Sequence, residues 1–153
     1  MTNSSSSTNL CGRILIVDDN TLGLSARRSV LEELGHKVVT IGAPHDALEL
    51  CVKQRFDLVV TDYKMPKMNG IEFIVRLRKQ QPTVAVILIS GFTDTLGLNE
   101  SNTGADVVIQ KSSQEVSHLI RSVNRLLRKQ RQPSKKPPGS QPTGKVDKRK
   151  TTR

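Results

Sequence analysis

One stretch of this sequence decides the fold: Leu58-Val-Val-Thr-Asp62-Tyr-Lys-Met-Pro66-Lys-Met-Asn-Gly70. It begins with an apolar run that is typical of a strand covered on both faces. It then passes Asp62 and continues through Pro66, Asn69 and Gly70, which predict a loop. Four more short apolar runs flank this stretch, and we predict them as strands: Ile14–Val17, Val38–Ile41, Ala85–Ile89 and Val107–Ile109.

Segments with helical periodicity separate these predicted strands. The first predicted helix, Leu22–Leu34, has an apolar face made of Leu22, Ala26, Val30, Leu31 and Leu34. The last predicted helix has an apolar face made of Val116, Leu119, Ile120, Val123, Leu126 and Leu127. Two more helices are predicted to begin at Pro44 and after Gly70. Strands that alternate with helices predict an α/β fold, a doubly wound parallel sheet of five strands with helices on both faces.

The charge of the chain is unevenly distributed. Its 153 residues carry a formal net charge of +10. Residues 1–120 contain 12 Lys and Arg against 13 Asp and Glu, whereas residues 121–153 contain 12 Lys and Arg against Asp147 alone. We therefore expect a disordered leader over residues 1–11, one folded domain over residues 12–131 and a disordered basic tail over residues 132–153.

Composition excludes several classes of protein. No apolar run approaches the roughly 18 residues of a membrane span, and the N-terminus lacks the charged and apolar regions of a signal peptide. Cys11 and Cys51 are too few for a disulfide framework, so we expect two free thiols in a cytoplasmic protein without a membrane segment. The histidines His36, His45 and His118 show no metal-ligand spacing and are expected at the surface.

Polar side chains lie where the predicted strands end. Asp18 and Asp19 follow the first strand, and Asp62 follows the third. Ser90 ends the fourth strand, and Lys111 lies just past the fifth. Because the carboxyl ends of parallel strands meet at one edge, three carboxylates would repel one another there unless a cation such as Mg²⁺ lay among them. Each residue alone also fits a turn, a helix cap or a surface charge, but together they predict phosphoryl transfer to a carboxylate.

Four motifs of the sequence together resemble the receiver domain of two-component response regulators. They are Ile14-Leu-Ile-Val-Asp-Asp19, the stretch from Leu58 to Gly70, Ile87-Leu-Ile-Ser90-Gly91, and Gly104-Ala-Asp with Lys111. The resemblance covers about residues 13–131, and Asp-x-x-Met-Pro-x-Met-x-Gly is its most specific part. It implies a flavodoxin-like fold and a signalling protein that acts as a monomer or weak dimer.

The resemblance also implies a role for each residue at the strand ends. Asp62 would accept a phosphoryl group from a phosphohistidine of a sensor histidine kinase or phosphotransfer protein. Mg²⁺ would be held by Asp18, Asp19, Asp62 and the backbone carbonyl of Lys64, and the phosphoryl oxygens would be bound by Ser90 and Lys111. Such a domain is not a turnover enzyme, although it catalyses its own phosphorylation and dephosphorylation. Its phosphorylation state would alter the binding of a downstream protein.

The sequence departs from this family between the fourth predicted strand and the last helix. Ser112 follows Lys111 where the family usually has a proline, so we expect a trans peptide bond there and a capping box made by Ser112 and Glu115. Val108 stands where the family usually has Tyr or Phe. The sequence therefore leaves undecided how phosphorylation would change the surface that a partner binds. The segment Thr95–Gly104 holds two Gly and two Asn, which predicts a short or irregular fourth helix.

Two other functions are compatible with the sequence. A phosphohydrolase of the haloacid dehalogenase kind would also be α/β and use Mg²⁺, but it would have Asp-x-Asp where this chain has Asp18-Asp19-Asn20, and 153 residues leave no room for its cap domain. A pseudo-receiver would act through its basic tail, with weak, non-specific binding of nucleic acid or binding of an acidic partner. Arg121, Arg125 and Arg128 would extend that charge along the last helix. The tail could equally serve only to keep the chain in solution.

Overall fold

The computed structural model of the chain describes residues 11–91 and 96–131. Its strands are β1 (Arg13–Val17), β2 (Lys37–Ile41), β3 (Leu58–Asp62), β4 (Ala85–Ser90) and β5 (Val107–Gln110). Its helices are α1 (Thr21–Glu33), α2 (Pro44–Lys53), α3 (Gly70–Gln80), α4 (Glu100–Thr103) and α5 (Glu115–Arg131). The leader and the tail that we expect to be disordered lie outside the described residues, apart from Cys11.

The five strands form one parallel sheet in the order β2-β1-β3-β4-β5. β1 pairs with both β2 and β3, so that Ile14 lies opposite Val38 on one side and Leu58 on the other. The order of the strands reverses at β1, and the carboxyl ends of β1 and β3 therefore border a crevice. The doubly wound, flavodoxin-like sheet predicted from the sequence is confirmed.

Two hydrophobic clusters cover the two faces of the sheet. Consecutive residues of a strand point to opposite faces, so Ile14 and Ile16 join one cluster while Leu15 and Val17 join the other. Helices α1 and α5 pack on the first face, and α2 and α3 pack on the second. The central strands β3 and β4 are buried along their whole length, which explains why their sequences are apolar with few interruptions.

The predicted apolar face of α1 is wrong except at Leu31. Leu22, which belonged to that face, is 81% exposed. The side of α1 that packs on the sheet instead carries Leu24, Arg27 and Leu31, all of which are buried. The apolar residues were misleading because one position of the buried face is occupied by an arginine whose charge is paired inside the fold.

Helix α5 agrees with its predicted apolar face except at its first turn. Its buried apolar residues are Leu119, Val123, Leu126 and Leu127. Val116, by contrast, is 42% exposed. The predicted capping box is wrong, because the Ser112 hydroxyl accepts the Gln114 N–H at 3.1 Å and the Glu115 carboxylate bonds to Arg27. A charged and partly buried partner holds Glu115 more strongly than a backbone N–H at a helix end would.

The region that departs from the family is described only in part, because residues 92–95 lie outside the described residues. Among the described residues between β4 and β5, Glu100–Thr103 form the four-residue helix α4, in agreement with the predicted short fourth helix. Gly104 ends this helix with a φ of +83°, a left-handed conformation that favours glycine. The peptide bond between Lys111 and Ser112 is trans, as are all peptide bonds among the described residues.

His36 is buried, and its expected place at the surface is therefore wrong. Its Nδ1 accepts the N–H of Gly12 at 3.1 Å, which ties the residue before β2 to the residue before β1. Both cysteines are free thiols, as expected. Cys51 is buried in α2, and burial raises the pKa of its thiol to about 11. No helix of the described part of the chain is long and apolar enough to cross a membrane.

Candidate functional site

A cleft of about 570 Å³ lies at the carboxyl ends of the strands. Its walls are formed by Asp18, Asp19, Asn20, Asp62, Lys64, Met65, Pro66, Gly91 and Lys111. These residues lie at or just beyond the carboxyl ends of β1, β3, β4 and β5, and they meet because the strands are parallel. Ser90 is buried at the end of β4, directly before Gly91 in the cleft wall. The structure thus brings all the site residues predicted from the sequence into one region.

Three carboxylates face one another in this cleft. One oxygen from each of Asp18, Asp19 and Asp62 lies within 4.8 Å of the others. Asp18 and Asp62 are buried, and Asp19 is exposed. Like charges this close disfavour one another's ionised form when no cation lies between them. The arrangement therefore favours binding of a cation.

Asp62, the last residue of β3, forms an ion pair with Lys111. The Lys111 Nζ lies 2.8 Å from Asp62 Oδ1. Oδ1 is buried, and Lys111 is the only described residue that brings a donor group to it. Burial raises the pKa of Asp62 above its ordinary value, and the hydrogen bond from Lys111 offsets only part of that shift. The ionised carboxylate is therefore held in an environment that stabilises it incompletely.

Asp18 is held in place by two groups of helix α1 and its cap. The Asp18 Oδ1 accepts the N–H of Asn20 at 2.9 Å, and its Oδ2 pairs with the Nη1 of Arg27 at 2.7 Å. The Asn20 side chain in turn caps α1 by accepting the N–H groups of Leu22 and Gly23. The first turns of α1 therefore fix the orientation of the Asp18 carboxylate.

Arg27 is a further residue of this site that was not among those predicted from the sequence. Its Nε donates to Glu115 Oε2 at 2.7 Å, in addition to its bond with Asp18. Burial acts to lower the pKa of Arg27, but the hydrogen bonds with Glu115 and Asp18 outweigh it, and the pKa is raised. A signal was present in the sequence, because Arg27 lies three residues after Leu24 and four before Leu31, the spacing of one helix face.

The backbone that follows Asp62 is tightly fixed. The N–H of Tyr63 donates to the carbonyl of Ile89 at 2.9 Å, and the carbonyl of Tyr63 accepts the N–H of Gly70 at 2.7 Å. The Tyr63 side chain is half-buried. A Cβ at Gly70 would lie 2.6 Å from the Asp62 carbonyl oxygen, so only glycine fits at the start of α3. The position of Asp62 therefore depends on this glycine.

The same loop turns sharply beside the cleft. Lys67 has a φ of +72°, which is uncommon for a residue with a side chain. The turn is closed by the N–H of Met68, which donates to the Pro66 carbonyl at 2.8 Å. Strained backbone of this kind is often found at functional sites, where the surrounding structure maintains it. The strained residue Lys67 directly follows Pro66, and Pro66 and Lys64 both line the cleft.

Strands β4 and β5 place Ser90 and Lys111 side by side. Ser90 lies opposite Gln110 in the paired strands. The N–H of the next residue, Lys111, donates to the Ser90 carbonyl at 2.9 Å. The Lys111 side chain is 38% exposed, whereas Ser90 is buried. Val108, which replaces the aromatic residue usual in the family, packs against the cluster on the α2 and α3 side of the sheet. Its N–H donates to Glu100 Oε2 of α4 at 2.9 Å.

The donor atoms of the cleft fit a hard divalent cation. Three aspartate carboxylates supply oxygen ligands, and the open cleft leaves room for water molecules, a combination that Mg²⁺ prefers. The buried Oδ1 of Asp62 has acceptor capacity that Lys111 alone does not fill. The residues present are therefore suited to Mg²⁺.

Comparison with known proteins gives a single family. A family model described as the response regulator receiver domain matches residues 14–124. The alkaline phosphatase synthesis transcriptional regulatory protein PhoP of Bacillus subtilis is 30% identical over 119 residues, which are 74% of this chain and 48% of PhoP. The hydrogenase transcriptional regulatory protein HoxA of Cupriavidus necator is 34% identical over 92 residues, which are 58% of this chain and 19% of HoxA. The chain thus spans about a fifth to a half of the length of these relatives.

Solved structures show the same fold. The receiver domain of the Francisella response regulator 1452 matches with a TM-score of 0.71 and 28% identity, covering 78% of this chain and 99% of that domain. The response regulator protein TrrA of Thermotoga maritima, solved in complex with Mg²⁺ and BeF, matches with a TM-score of 0.68 and 28% identity. That match covers 74% of this chain and 97% of TrrA. Both likenesses extend over nearly the whole of the compared structure.

Proposed function

This chain belongs to the family of response regulator receiver domains, the phosphate-accepting domains of two-component signalling, and we propose that Asp62 is its phosphoacceptor. One arrangement supports this role above all. Asp62 is a buried carboxylate at the end of β3, beside two further carboxylates and 2.8 Å from the ammonium group of Lys111. Among the described residues, that ammonium group is the only polar group in contact with its buried Oδ1, which leaves acceptor capacity on the atom for a new bond.

We infer that Mg²⁺ is the cofactor of this site. The carboxylates of Asp18, Asp19 and Asp62 and the backbone carbonyl of Lys64 would hold the ion, and all four residues line the cleft. When bound, the ion supplies positive charge that offsets the charges of the carboxylates and of a phosphoryl group. The complex of TrrA with Mg²⁺ and BeF, at 28% identity, supports this inference.

The phosphorylation step needs little from the protein besides position and charge. An oxygen of the Asp62 carboxylate attacks the phosphorus of a phosphohistidine on a sensor kinase or phosphotransfer protein. An O–P bond forms while the N–P bond breaks, and the imidazole leaves with the electron pair of that bond. The Lys111 ammonium then pairs with one phosphoryl oxygen, and the Ser90 hydroxyl donates a hydrogen bond to another.

The phosphorylated site acts as a switch and not as a turnover enzyme. Attack of water on the phosphorus returns Asp62 to the free carboxylate and releases inorganic phosphate. While the phosphoryl group is present, a downstream protein binds with altered affinity, and the chain acts as a monomer or weak dimer. A cytoplasmic location is part of this proposal, since both cysteines are free thiols, as is usual in a reducing compartment.

Treatment of the full chain with Mg²⁺ and a small phosphodonor tests the role of Asp62. We expect intact-mass spectrometry to show one added phosphoryl group, and backbone amide NMR to show shifts near Asp62, Ser90 and Lys111. Beryllium fluoride with Mg²⁺ should produce similar NMR shifts. Asp62→Asn should abolish the added mass and the shifts, because an amide is not a nucleophile for this reaction.

Asp57→Asn is the matched control. Asp57 directly precedes the same strand β3 at its opposite end and is exposed. Its substitution should leave both the added mass and the NMR shifts as in the wild type. If the wild type and Asp62→Asn respond alike, Asp62 is not the phosphoacceptor.

A further inference from the structure

Arg27 connects the cleft to the last helix. Of the described residues, it is the only Lys or Arg that is buried. Its Nη1 lies 2.7 Å from Asp18 Oδ2, and its Nε lies 2.7 Å from Glu115 Oε2. The side chains of Arg27, Asp18 and Glu115 are 7%, 1% and 16% exposed, so water and salt screen these two ion pairs only weakly.

The two ion pairs share one rigid group. Nε and Nη1 belong to the same planar guanidinium, so a movement that alters one contact also alters the other. Asp18 lines the cleft, and Glu115 is the first residue of α5. The guanidinium therefore forms a direct link between the carboxylates of the cleft and the start of α5.

Gly23 provides the space that this link occupies. It lies one turn before Arg27 in α1. A Cβ at Gly23 would be 3.1 Å from Asp18 Oδ2 and 3.5 Å from Arg27 Nη1, so a side chain there would crowd the ion pair. Glycine is unfavourable inside a helix, and the close approach of Arg27 to Asp18 gives a physical reason for its presence in α1.

The charge of Arg27 has most effect when no cation is bound among the carboxylates. Arg27 then supplies positive charge to Asp18, as Lys111 does to Asp62. A divalent cation that binds Asp18 competes with the guanidinium for the same carboxylate. Its binding therefore weakens the pair between Arg27 and Asp18 and leaves Glu115 as the stronger partner of Arg27.

We propose that Arg27 is a positioning residue that couples cation binding at Asp18 to the position of the first turn of α5 through Glu115. This inference rests on the proposed function, because it takes Asp18 as a ligand of Mg²⁺. Without the cation, Arg27 bridges the cleft and the helix. With the cation bound, Arg27 pairs mainly with Glu115, and the first turn of α5 shifts with it.

Titration of Mg²⁺ into the full chain, followed by backbone amide NMR, tests the coupling. In the wild type, the amides of Asp18 and of the first turn of α5 should shift with the same dissociation constant. Arg27→Gln should bind Mg²⁺ about fivefold more tightly, because the competing cation is gone, and the shifts in α5 should vanish. Glu115→Gln should bind Mg²⁺ more weakly by a similar factor, because Arg27 then pairs with Asp18 alone, and it should also lose the shifts in α5.

Arg28→Gln is the matched control, because Arg28 pairs with Glu32 on the exposed surface of α1. It should leave both the affinity for Mg²⁺ and the shifts in α5 unchanged. Arg27→Lys keeps the charge without the planar fork, so it should still compete with Mg²⁺ but lose the shifts in α5.

Three results would overturn the inference. They are the absence of shifts in α5 in the wild type, persistence of those shifts in Glu115→Gln, and a change of affinity in the same direction in Arg27→Gln and Glu115→Gln. If Arg27→Gln fails to fold, the weaker binding and lost shifts expected of Glu115→Gln decide the matter. If Mg²⁺ shifts no amide near Asp18 in the wild type, the proposed metal site is wrong and the inference falls with it. If Mg²⁺ shifts the amides near Asp18 in the wild type but the phosphodonor adds no phosphoryl group to it, the role of Asp62 is wrong and the coupling through Arg27 still stands.

Discussion

Asp62 combines burial with a negative charge that its neighbours stabilise only in part. The Lys111 ammonium contacts its Oδ1, and no other described residue donates a hydrogen bond to that atom. Burial removes water that one cation does not fully replace, which is why the pKa of Asp62 is raised. Ionisation of Asp62 therefore destabilises the folded state when no further cation is bound in the cleft.

The stability of the chain without Mg²⁺ should therefore depend on pH through Asp62. Its pKa is higher in the folded state, so the folded state loses stability as the pH rises from the ordinary carboxyl value of about 3.9 through the raised value. Asp62→Asn lacks this loss. At pH 7 we expect the variant to exceed the wild type in free energy of unfolding, and the difference should shrink as the pH falls toward 4.

Urea denaturation in the presence of a chelator, repeated over this pH range, measures the difference. Asp57→Asn, at the other end of β3, is the control and should not show the same trend. A difference between Asp62→Asn and the wild type that does not change with pH would contradict the assigned cause.

The residues of the site differ in how far the sequence alone could place them. Asp18, Asp19 and Asp62 could be placed because each directly follows an apolar strand, and parallel strand ends meet. Arg27 and His36 could not, because their burial depends on partners far along the chain. The partner of Arg27 is Glu115, 88 positions away, and no local pattern connects them.

The elements show the same contrast between local and long-range causes. All five strands match the predicted runs to within two residues. The central strands β3 and β4 could be predicted because a strand covered on both faces must be apolar along its length. The face of α1 was predicted wrongly because an arginine with two buried partners replaced an apolar residue. The cap of α5 was predicted wrongly for the same reason, since Glu115 binds Arg27 and not the backbone N–H of Ser112.

Helix α3 is tied to its neighbours by Arg78. Its Nη1 donates to the carbonyl of Val84 at 2.6 Å, directly before β4. Its Nη2 donates to the carbonyl of Gly104 at 2.9 Å and to Asp106 Oδ2 at 3.2 Å. Asp106 also accepts the N–H of Val86 at 2.8 Å. One side chain thus fixes the end of α3 against both β4 and the segment that leads into β5.

Arg78→Lys should destabilise the fold by about 1–2 kcal/mol, because lysine lacks the planar fork whose two nitrogens reach the carbonyls of Val84 and Gly104. Arg76→Lys is the matched control on the exposed side of α3 and should change stability by less than about 0.5 kcal/mol. Chemical denaturation of the two variants and the wild type gives the comparison. Equal stability of Arg78→Lys and the wild type would show that these hydrogen bonds contribute little.

At the scale of the whole molecule, the hydrophobic clusters and most of the net positive charge occupy different parts of the chain. Both hydrophobic clusters lie within residues 14–127. Three arginines, Arg121, Arg125 and Arg128, are exposed on α5, and seven more Lys and Arg lie within residues 132–153. Removal of the residues beyond 131 should therefore weaken the attraction of a polyanion without affecting folding.

A chain that ends after Arg131 should unfold at the same urea concentration as the full chain, because it keeps both clusters. It should bind single-stranded nucleic acid more weakly at low salt, because seven cations are gone. The full chain should show a steep decrease of affinity with salt, with a slope of about −0.7 per phosphate neutralised. Fluorescence anisotropy with a labelled oligonucleotide measures the affinity of each chain and its dependence on salt. Unchanged binding after truncation would remove the residues beyond 131 from this role.

Tyr63 directly follows Asp62, and hydrogen bonds to Ile89 and Gly70 fix its backbone on both sides. The chain contains no tryptophan and no second tyrosine. Ultraviolet light absorbed beyond the range of phenylalanine is therefore re-emitted by a single ring, which packs against the hydrophobic cluster on the α2 and α3 side of the sheet. The intensity of that emission follows the packing and the quenching groups around this one ring. The protein thus carries an intrinsic optical reporter on the residue next to Asp62, which can be followed in real time on the native chain without a dye.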